Sequence, residues 1–273
     1  MKKLTIRNIT QILFIVIVLA ITYSKNATEL GLIPIPFIGG ASLHAICPFG
    51  GVETFYTFIT GQGFISKIHD STMVMFVLVL AGGVLFGSAF CGFICPLGTV
   101  QEWIGKLGRR LFPKHYNQIV PEKLDKKLRH LRYIVLAAVI YFSSMTFKLV
   151  FADYDPYFAL FNFYTGEVAF TAIVVLAVVL ISSLIIERPW CKYLCPFGII
   201  MGLFNKIRIF KIARNTNTCI SCKKCDKACP MNLVLSDKKT ITSTSCISCM
   251  ACTSDNACPV DDTMIMRLGG IGK

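Results

Sequence analysis

The chain has 273 residues, of which 54% are hydrophobic and only 16% charged, with a mean hydropathy of +0.63. That balance is too apolar for a soluble domain of this size and points to a membrane. The formal charge of +13 would suit nucleic acid, but no stacking motif or basic-aromatic stripe accompanies it, so nucleic acid is set aside as a partner.

Four apolar stretches approach the roughly 20 residues needed to cross about 30 Å of hydrocarbon. They are Ile9 to Tyr23, Thr72 to Phe90, Leu131 to Phe151 and Val168 to Ile186. The first follows "MKK", and no small-residue cleavage site comes after it, so it reads as a span rather than a signal peptide. Residues 28–64, with "GLIPIPFIGG", carry too much proline and glycine for a full span and read as a re-entrant or interfacial segment. Within it, "HAICPFGGVETFY" sets His44 and Cys47 at i, i+3. Cys47 is a candidate cofactor contact, against the commoner reading that such a pair simply packs.

The second apolar stretch runs into "AFCGFICPLG" (89–98) and the fourth into "PWCKYLCPFG" (189–198). At an offset of 100 residues, Cys91 matches Cys191, Cys95 matches Cys195, Pro96 matches Pro196, Gly98 matches Gly198 and Lys106 matches Lys206. Both follow a span running outside to inside, so the repeats are expected to be parallel, related by an axis along the membrane normal. Proline suits the first position of a helix, which makes each second cysteine an N-cap. The helix dipole there is expected to lower the thiol pKa. The following "LGTVQEWIGKLGRRLF" and "FGIIMGLFNKIRIFKIAR" mix apolar and basic residues at helical spacing, as interfacial helices do. Brought together, Cys91, Cys95, Cys191 and Cys195 make a four-thiolate pocket suited to a metal or iron–sulfur centre. The competing reading is that these small residues merely pack the helix ends.

Nine basic residues lie in the segment from Cys91 through Arg132, whereas the connection after the third span carries Asp153, Asp155 and Glu167 against Lys148. The positive-inside rule then puts both termini and the 91–130 loop in the cytoplasm of a multi-pass protein of the cell membrane. Asp153 and Asp155, with Tyr154, Tyr157 and their aromatic neighbours, read as an outer aromatic belt with solvated acids, the rival being the frame of a quinone head group. His69, His115 and His130 read as solvated. No phosphate loop, dinucleotide fingerprint or nucleophile triad is present, and no catalytic residue is assigned.

Of thirteen cysteines, twelve fall on the expected cytoplasmic side. In a reducing compartment they read as metal ligands or redox groups. Residues 1–213 form the membrane domain, 214–266 a small cysteine-rich domain and 267–273 a tail. "CISCKKCDKACP" places Cys219, Cys222, Cys225 and Cys229 at spacings x2, x2, x3 before Pro230, the bacterial ferredoxin pattern for [4Fe–4S] clusters. "CISCMACTSDNACP" supplies Cys246, Cys249, Cys252 and Cys258 before Pro259. Three close thiolates wrap one face of a cubane and the fourth serves the other cluster. This assigns Cys219, Cys222, Cys225 and Cys258 to one cluster, and Cys246, Cys249, Cys252 and Cys229 to the other. The second run has x5 where x3 is usual, which is expected to lengthen one turn. Two consecutive four-cysteine runs ending in CP argue against structural zinc.

The expected fold class is an α-helical integral membrane protein of four transmembrane helices with a parallel two-fold internal repeat, plus a small C-terminal α+β ferredoxin domain with two [4Fe–4S] clusters. In their combined order, "CGFICP", "CKYLCP" and the two ferredoxin runs resemble the NapH-like and NosR-like membrane polyferredoxins, from Ile9 to Met266. The resemblance implies a membrane electron carrier tied to quinol oxidation, or to electron delivery toward extracytoplasmic enzymes and flavinylated domains. The large flavin-binding region of the NosR-like members is not found here, so any flavin is expected on a partner. The function expected is transfer of single electrons between the cytoplasmic clusters and a quinone or extracytoplasmic redox partner, as a subunit of an oxidoreductase system. The alternative is a cupric reductase or metal-cofactor assembly factor using the CxxxCP thiolates.

Overall fold

The computed structural model describes residues 2–29, 70–113, 116–117, 119–146, 154–163 and 168–269. The expected re-entrant segment from residue 30 onward, with His44 and Cys47, lies outside the described residues, as do His69, His115, Asp153 and Tyr164.

Each of the four apolar stretches yields a helix: α1 (Lys2–Glu29), α2 (Asp70–Phe86), α5 (Leu131–Thr146) and α7 (Phe170–Ser183). Among the described residues one helix, over Ile6–Ser24, is long and apolar enough to cross a membrane, and Val77–Phe86 and Phe170–Ser183 are apolar but shorter. The helices carry large apolar residues on their exposed faces, and α1 buries polar ones. On α1, Arg7, Gln11, Thr22 and Ser24 are buried, while Ile6, Ile9, Leu13 and Val16 are each more than half exposed. Tyr141 and Ile134 on α5 and Val178 and Ile181 on α7 are likewise exposed.

Between α2 and α3 (Pro96–Leu111) the chain makes one wide π turn, Phe90–Ile94, closed by the Cys95 amide donating to the Phe90 carbonyl at 2.9 Å. The second repeat does the same. After α8 (Pro189–Tyr193), the Cys195 amide donates to the Trp190 carbonyl, also at 2.9 Å, before α9 (Phe197–Ile207). Such i→i+5 turns are rare and concentrate at functional sites. Here they widen the helix end just where the thiols emerge.

Between the repeats lie α4 (Glu122–Leu128) and α6 (Pro156–Asn162). Asp155 caps α6, accepting the Tyr157 amide at 2.9 Å. The helix folds back along α7, so Asp155 and Tyr157 are buried, which corrects the expectation of a solvated acid in an outer belt. A carboxylate that accepts backbone N–H bonds is able to leave water without a basic partner. Tyr154 and Phe163, at the ends of this helix, remain exposed.

The second expected surface helix stops at Ile207, short of Arg214. Arg208 turns extended at ψ 144°, the Ile209 amide donates to Val84 O at 3.0 Å, and Phe210–Arg214 becomes β1. "FKIAR" alternates as readily as it coils, and ladder bonds decide the matter. β1 is the centre of an antiparallel sheet of order β2-β1-β3, where β2 is Thr240–Ile241 and β3 is Met264–Leu268. Ile212 faces Ile241 on one side and Met266 on the other. The small domain also contains α10 (Lys224–Lys227) and a short 3-10 turn at Ala251–Thr253. Its buried Ile212, Met231, Leu235, Ile241 and Met264 form one core with Phe90, Phe197 and Met201 of the helical bundle. A second core inside the bundle gathers Val18, Leu97, Phe161, Leu176 and Trp190.

Candidate metal centres

Three cavities hold the twelve described cysteines, four to each. One, of about 20 Å³, is lined by Cys219, Cys222, Cys225 and Cys258. A second, also of about 20 Å³, is lined by Cys229, Cys246, Cys249 and Cys252. The third, of about 70 Å³, is lined by Cys91, Cys95, Cys191 and Cys195 where the two π turns meet, with Cys246 at its border. The groups of four are those the spacing suggests. A single turn, α10, carries the chain from Cys225 in one cavity to Cys229 in the next. The two extra residues before Cys258 are absorbed by a turn in which its amide donates to Ser254 O at 2.9 Å.

Both ferredoxin runs curl in the same way. Ser221 and Lys223 in the first, and Ser248 and Met250 in the second, occupy matching positions with φ between 50° and 59°. Non-glycine residues rarely take this conformation, and four at matched places mark a loop shaped for a ligand. Among the described residues no group of three or more His, Cys, Asp or Glu closes tightly enough to hold one metal ion. A four-iron core asks for something else, four thiols around a cavity with each on its own iron, and the residues present fit it.

The bundle cavity is set by buried polar residues that the motifs do not reveal. Arg188, with φ 51° and no exposed surface, donates from Nη1 to Cys91 O at 2.6 Å and from Nη2 to Glu102 Oε2 at 2.6 Å. Arg7 pairs with the same carboxylate oxygen. Gln101 donates toward Cys191 Sγ at 3.8 Å and accepts the Trp190 amide at 3.2 Å. The signal in the sequence is Arg7 itself, an ionisable residue near the start of an apolar run. Burial tends to raise the Glu102 carboxyl, but Arg188 and Arg7 outweigh it and hold the group down to about 2.

The thiols go the other way. Burial, then the neighbouring Cys191, pushes Cys95 up to about 12. Burial likewise lifts Cys91 and Cys195 well above the ordinary thiol value, and raises Cys191 despite Arg188 and Gln101. The expected lowering by a helix dipole is therefore overturned. Desolvation of a thiolate outweighs the partial charge of a helix end, and Cys195 does not cap α9 at all, because Pro196 does. Such thiols ionise when a bound cation compensates them.

A family model described as a 4Fe-4S binding domain matches residues 69–115 and 168–215, the two segments containing the cysteine-proline steps. The YccM protein of Escherichia coli K12, whose name assigns it to electron transport, is 32% identical over 219 residues, 78% of this chain and 60% of YccM. A protein of Methanocaldococcus jannaschii is 30% identical over 209 residues, 77% of this chain and 82% of its own length. The ferredoxin-type protein NapH of Haemophilus influenzae is 30% identical over 187 residues, 64% of this chain and 62% of NapH. NirI and NosR proteins match as well. The chain belongs to the NapH-like and NosR-like polyferredoxin family. It is thus an iron–sulfur protein. No solved structure matches it.

In this polyferredoxin the small domain is fastened to the bundle at the second cysteine cavity. Gly92, inside the first CxxxCP step, has no room for a side chain, since a Cβ would lie 2.5 Å from Ile247 O and 3.1 Å from the Cys249 Cα. Asn205 donates to Ser243 O at 3.0 Å and Cys246 O at 2.7 Å. Arg208 donates to Ser248 Oγ and Ile241 O, both at 2.6 Å. On the other side Asp125 is a clasp. It accepts Lys192 Nζ at 2.7 Å and the Tyr193 hydroxyl at 2.5 Å, and pairs with Arg129. Arg129 in turn donates to Met231 O at 2.8 Å, two residues past Cys229.

Proposed function

We propose that this polyferredoxin is a multi-pass membrane protein, with both termini in the cytoplasm, that moves single electrons between two cytoplasmic [4Fe–4S] clusters and a redox partner at or beyond the membrane. That partner is a quinone or quinol, or an extracytoplasmic protein, with any flavin belonging to the partner. Cys219, Cys222, Cys225 and Cys258 hold one cluster, and Cys246, Cys249, Cys252 and Cys229 the other. Cys91, Cys95, Cys191 and Cys195 hold a further centre at the end of the bundle. Iron–sulfur clusters supply one-electron transfer without making or breaking bonds to a substrate. The chain's residues position and tune them: buried thiols, a fully buried Arg188 beside the bundle set, and αL loops around the other two.

The observation that carries this reading is continuity. Met231, Cys246 and Ile247 line both the bundle cavity and the neighbouring ferredoxin cavity, so nothing but shared walls separates the two. Crossing about 30 Å of hydrocarbon asks for intermediate stations, and the bundle thiols are suited to be one. Membrane placement is supported by the large apolar residues exposed on α1, α5 and α7 and by the ionisable Arg7 of α1, which is buried and paired with Glu102.

Anaerobic purification with iron, sulfide, copper and flavin analysis, plus EPR on reduction, tests the proposal. The expected result is about eight irons and matching sulfide for two interacting cubanes, with further iron that disappears in Cys91→Ser or Cys195→Ser while the cubane signals stay. Copper in place of that further iron assigns the bundle thiols to cupric reduction instead. Zinc, or no inorganic sulfide, overturns the reading.

A further inference from the structure

The two ferredoxin cavities differ in one respect that bears on how electrons enter or leave. Cys229, Cys249 and Cys252 are each at most 8% exposed and sit against the bundle. Cys222 is exposed, and its cavity is lined by residues from Arg214 to Met264 with no contribution from the bundle. Around Cys222 the surface has a definite composition. Ile220 stands 64% exposed, and Ser221, Lys223, Lys224 and Lys227 are exposed beside it. The acid in this stretch, Asp226, is turned inward, where it accepts the Leu235 amide at 2.6 Å, the Ser236 amide at 2.9 Å and the Ser236 hydroxyl at 2.6 Å. Asp261 and Asp262, between Val260 and Thr263 of the same cavity wall, are exposed as well, so the positive surface is the part that carries Lys223, Lys224 and Lys227, beside an apolar knob and a cysteine.

Building on the cluster reading above, we propose that the face formed by Ile220, Cys222, Lys223, Lys224 and Lys227 is the docking surface for a small acidic one-electron carrier protein of the cytoplasm. Three properties fit that partner. An exposed cysteine lets a second redox centre approach closely, which the buried set does not allow. An apolar centre within a charged rim is the anatomy of a protein interface, and redox encounters are small and transient. A local positive field raises the on-rate of an acidic partner and weakens with salt. In the encounter one electron passes between the carrier and the cluster held by Cys219, Cys222, Cys225 and Cys258. One partner is oxidised as the other is reduced, and no bond or proton is exchanged.

The test uses the full chain in nanodiscs of zwitterionic lipid, with an acidic plant-type [2Fe–2S] ferredoxin as probe. Equilibrium binding is measured with the oxidised probe, and stopped-flow reduction with the reduced one. Both affinity and rate are expected to fall about tenfold or more between low salt and roughly 0.5 M. Lys224→Glu/Lys227→Glu should lower both about tenfold at low salt with iron content and EPR unchanged. Arg110→Glu/Lys127→Glu, with the same change in net charge elsewhere, should change them less than about threefold. The proposal fails if the first variant keeps its clusters and its binding, if both variants lose binding equally, or if the face captures anionic vesicles and not ferredoxin. Absence of clusters from the unmodified protein would instead remove the cluster reading, and the docking surface with it.

Discussion

The helices that follow the two cysteine-proline steps begin from the same local geometry and hold different things. Where α3 carries Glu102, α9 carries Gly202 at the matching position. Glu102 is turned into the bundle and gathers Arg7 and Arg188. Gly202 leaves space for the small domain, since a Cβ there would lie 2.1 Å from Thr244 O. Further along, Gly105 and Gly108 let α3 pack against Tyr116 and Leu184, whereas their counterparts Asn205 and Arg208 reach out to the loop of Cys246. The residue after the first cysteine splits the same way. Gly92 admits the backbone of Ile247 to Cys249, while Lys192 reaches Asp125, which Arg129 ties to the chain after Cys229. Two equivalent turns are able to close around four thiols, but a single ferredoxin domain needs a one-sided seat. The symmetry is broken on the helix faces and kept at the cysteines.

The clasp is where this division is most costly to disturb. Asp125→Leu leaves Lys192, which is 1% exposed, with its carboxylate partner gone. Removing one member of a buried ion pair costs about 3–5 kcal/mol. The expected outcome is a large drop in the temperature at which the visible cluster absorbance is lost, with the bundle helices melting later by circular dichroism. Adding Lys192→Met should restore part of that loss, because it removes the stranded ammonium while Arg129 and Tyr193 stay without their carboxylate. A double variant no better than the single one would show that the clasp acts through something other than this pair.

On the bundle side the corresponding test is acid. The Glu102 carboxyl is held at about 2 in the fold against an ordinary 4.5. Its pKa is depressed by folding, so its contribution is complete above about 4.5 and is lost as pH falls toward 2. The size is about 3 kcal/mol. Asp125 is also lowered, with Lys192 and Tyr193 outweighing burial, and it adds to the same acid trend. Glu102→Gln should remove the bundle part of the dependence, reducing stability at neutral pH and flattening the helix melting temperature between about pH 5 and 3. An unchanged acid profile would mean that the Arg7 and Arg188 pairs do not hold the bundle.

How much of this the sequence discloses depends on whether the information is local. The ferredoxin cysteines are legible because their spacing is itself the geometry of the loop, and even the two extra residues before Cys258 only lengthen a turn. The 100-residue offset likewise points to the four thiols that share the bundle cavity. What escapes is non-local. Arg188 and Glu102 are 86 residues apart, and nothing in either neighbourhood announces the pairing. The fate of "RIFKIAR" turns on strands that begin only at Thr240 and Met264, because apolar residues at that density satisfy both periods. Asp155 looks solvated until its capping role is known. The thiol acidity is misread for the same reason: a dipole is inferred from one helix, whereas desolvation depends on everything packed around it.

The smallest expected effect sharpens the comparison most. Gly108 on α3 and Gly202 on α9 each have a backbone carbonyl 2.1 Å from where a Cβ would sit, Leu184 O for the first and Thr244 O for the second. Alanine at either site therefore forces a shift of the same kind, at about 1–3 kcal/mol. If the two helix faces serve different parts of the molecule, the equal insult should have unequal consequences. Gly108→Ala should loosen α3 against the end of α7, lower the helix melting temperature and weaken retention of the further centre proposed for Cys91, Cys95, Cys191 and Cys195. Gly202→Ala should leave those intact and instead free the loop from Ser243 to Cys249, seen as faster proteolysis between Thr242 and Ser248 and faster loss of the cluster proposed for Cys246, Cys249, Cys252 and Cys229. If both variants fail in the same way, the two faces are not specialised, and the small domain and bundle hold together as one unit with no separate seat.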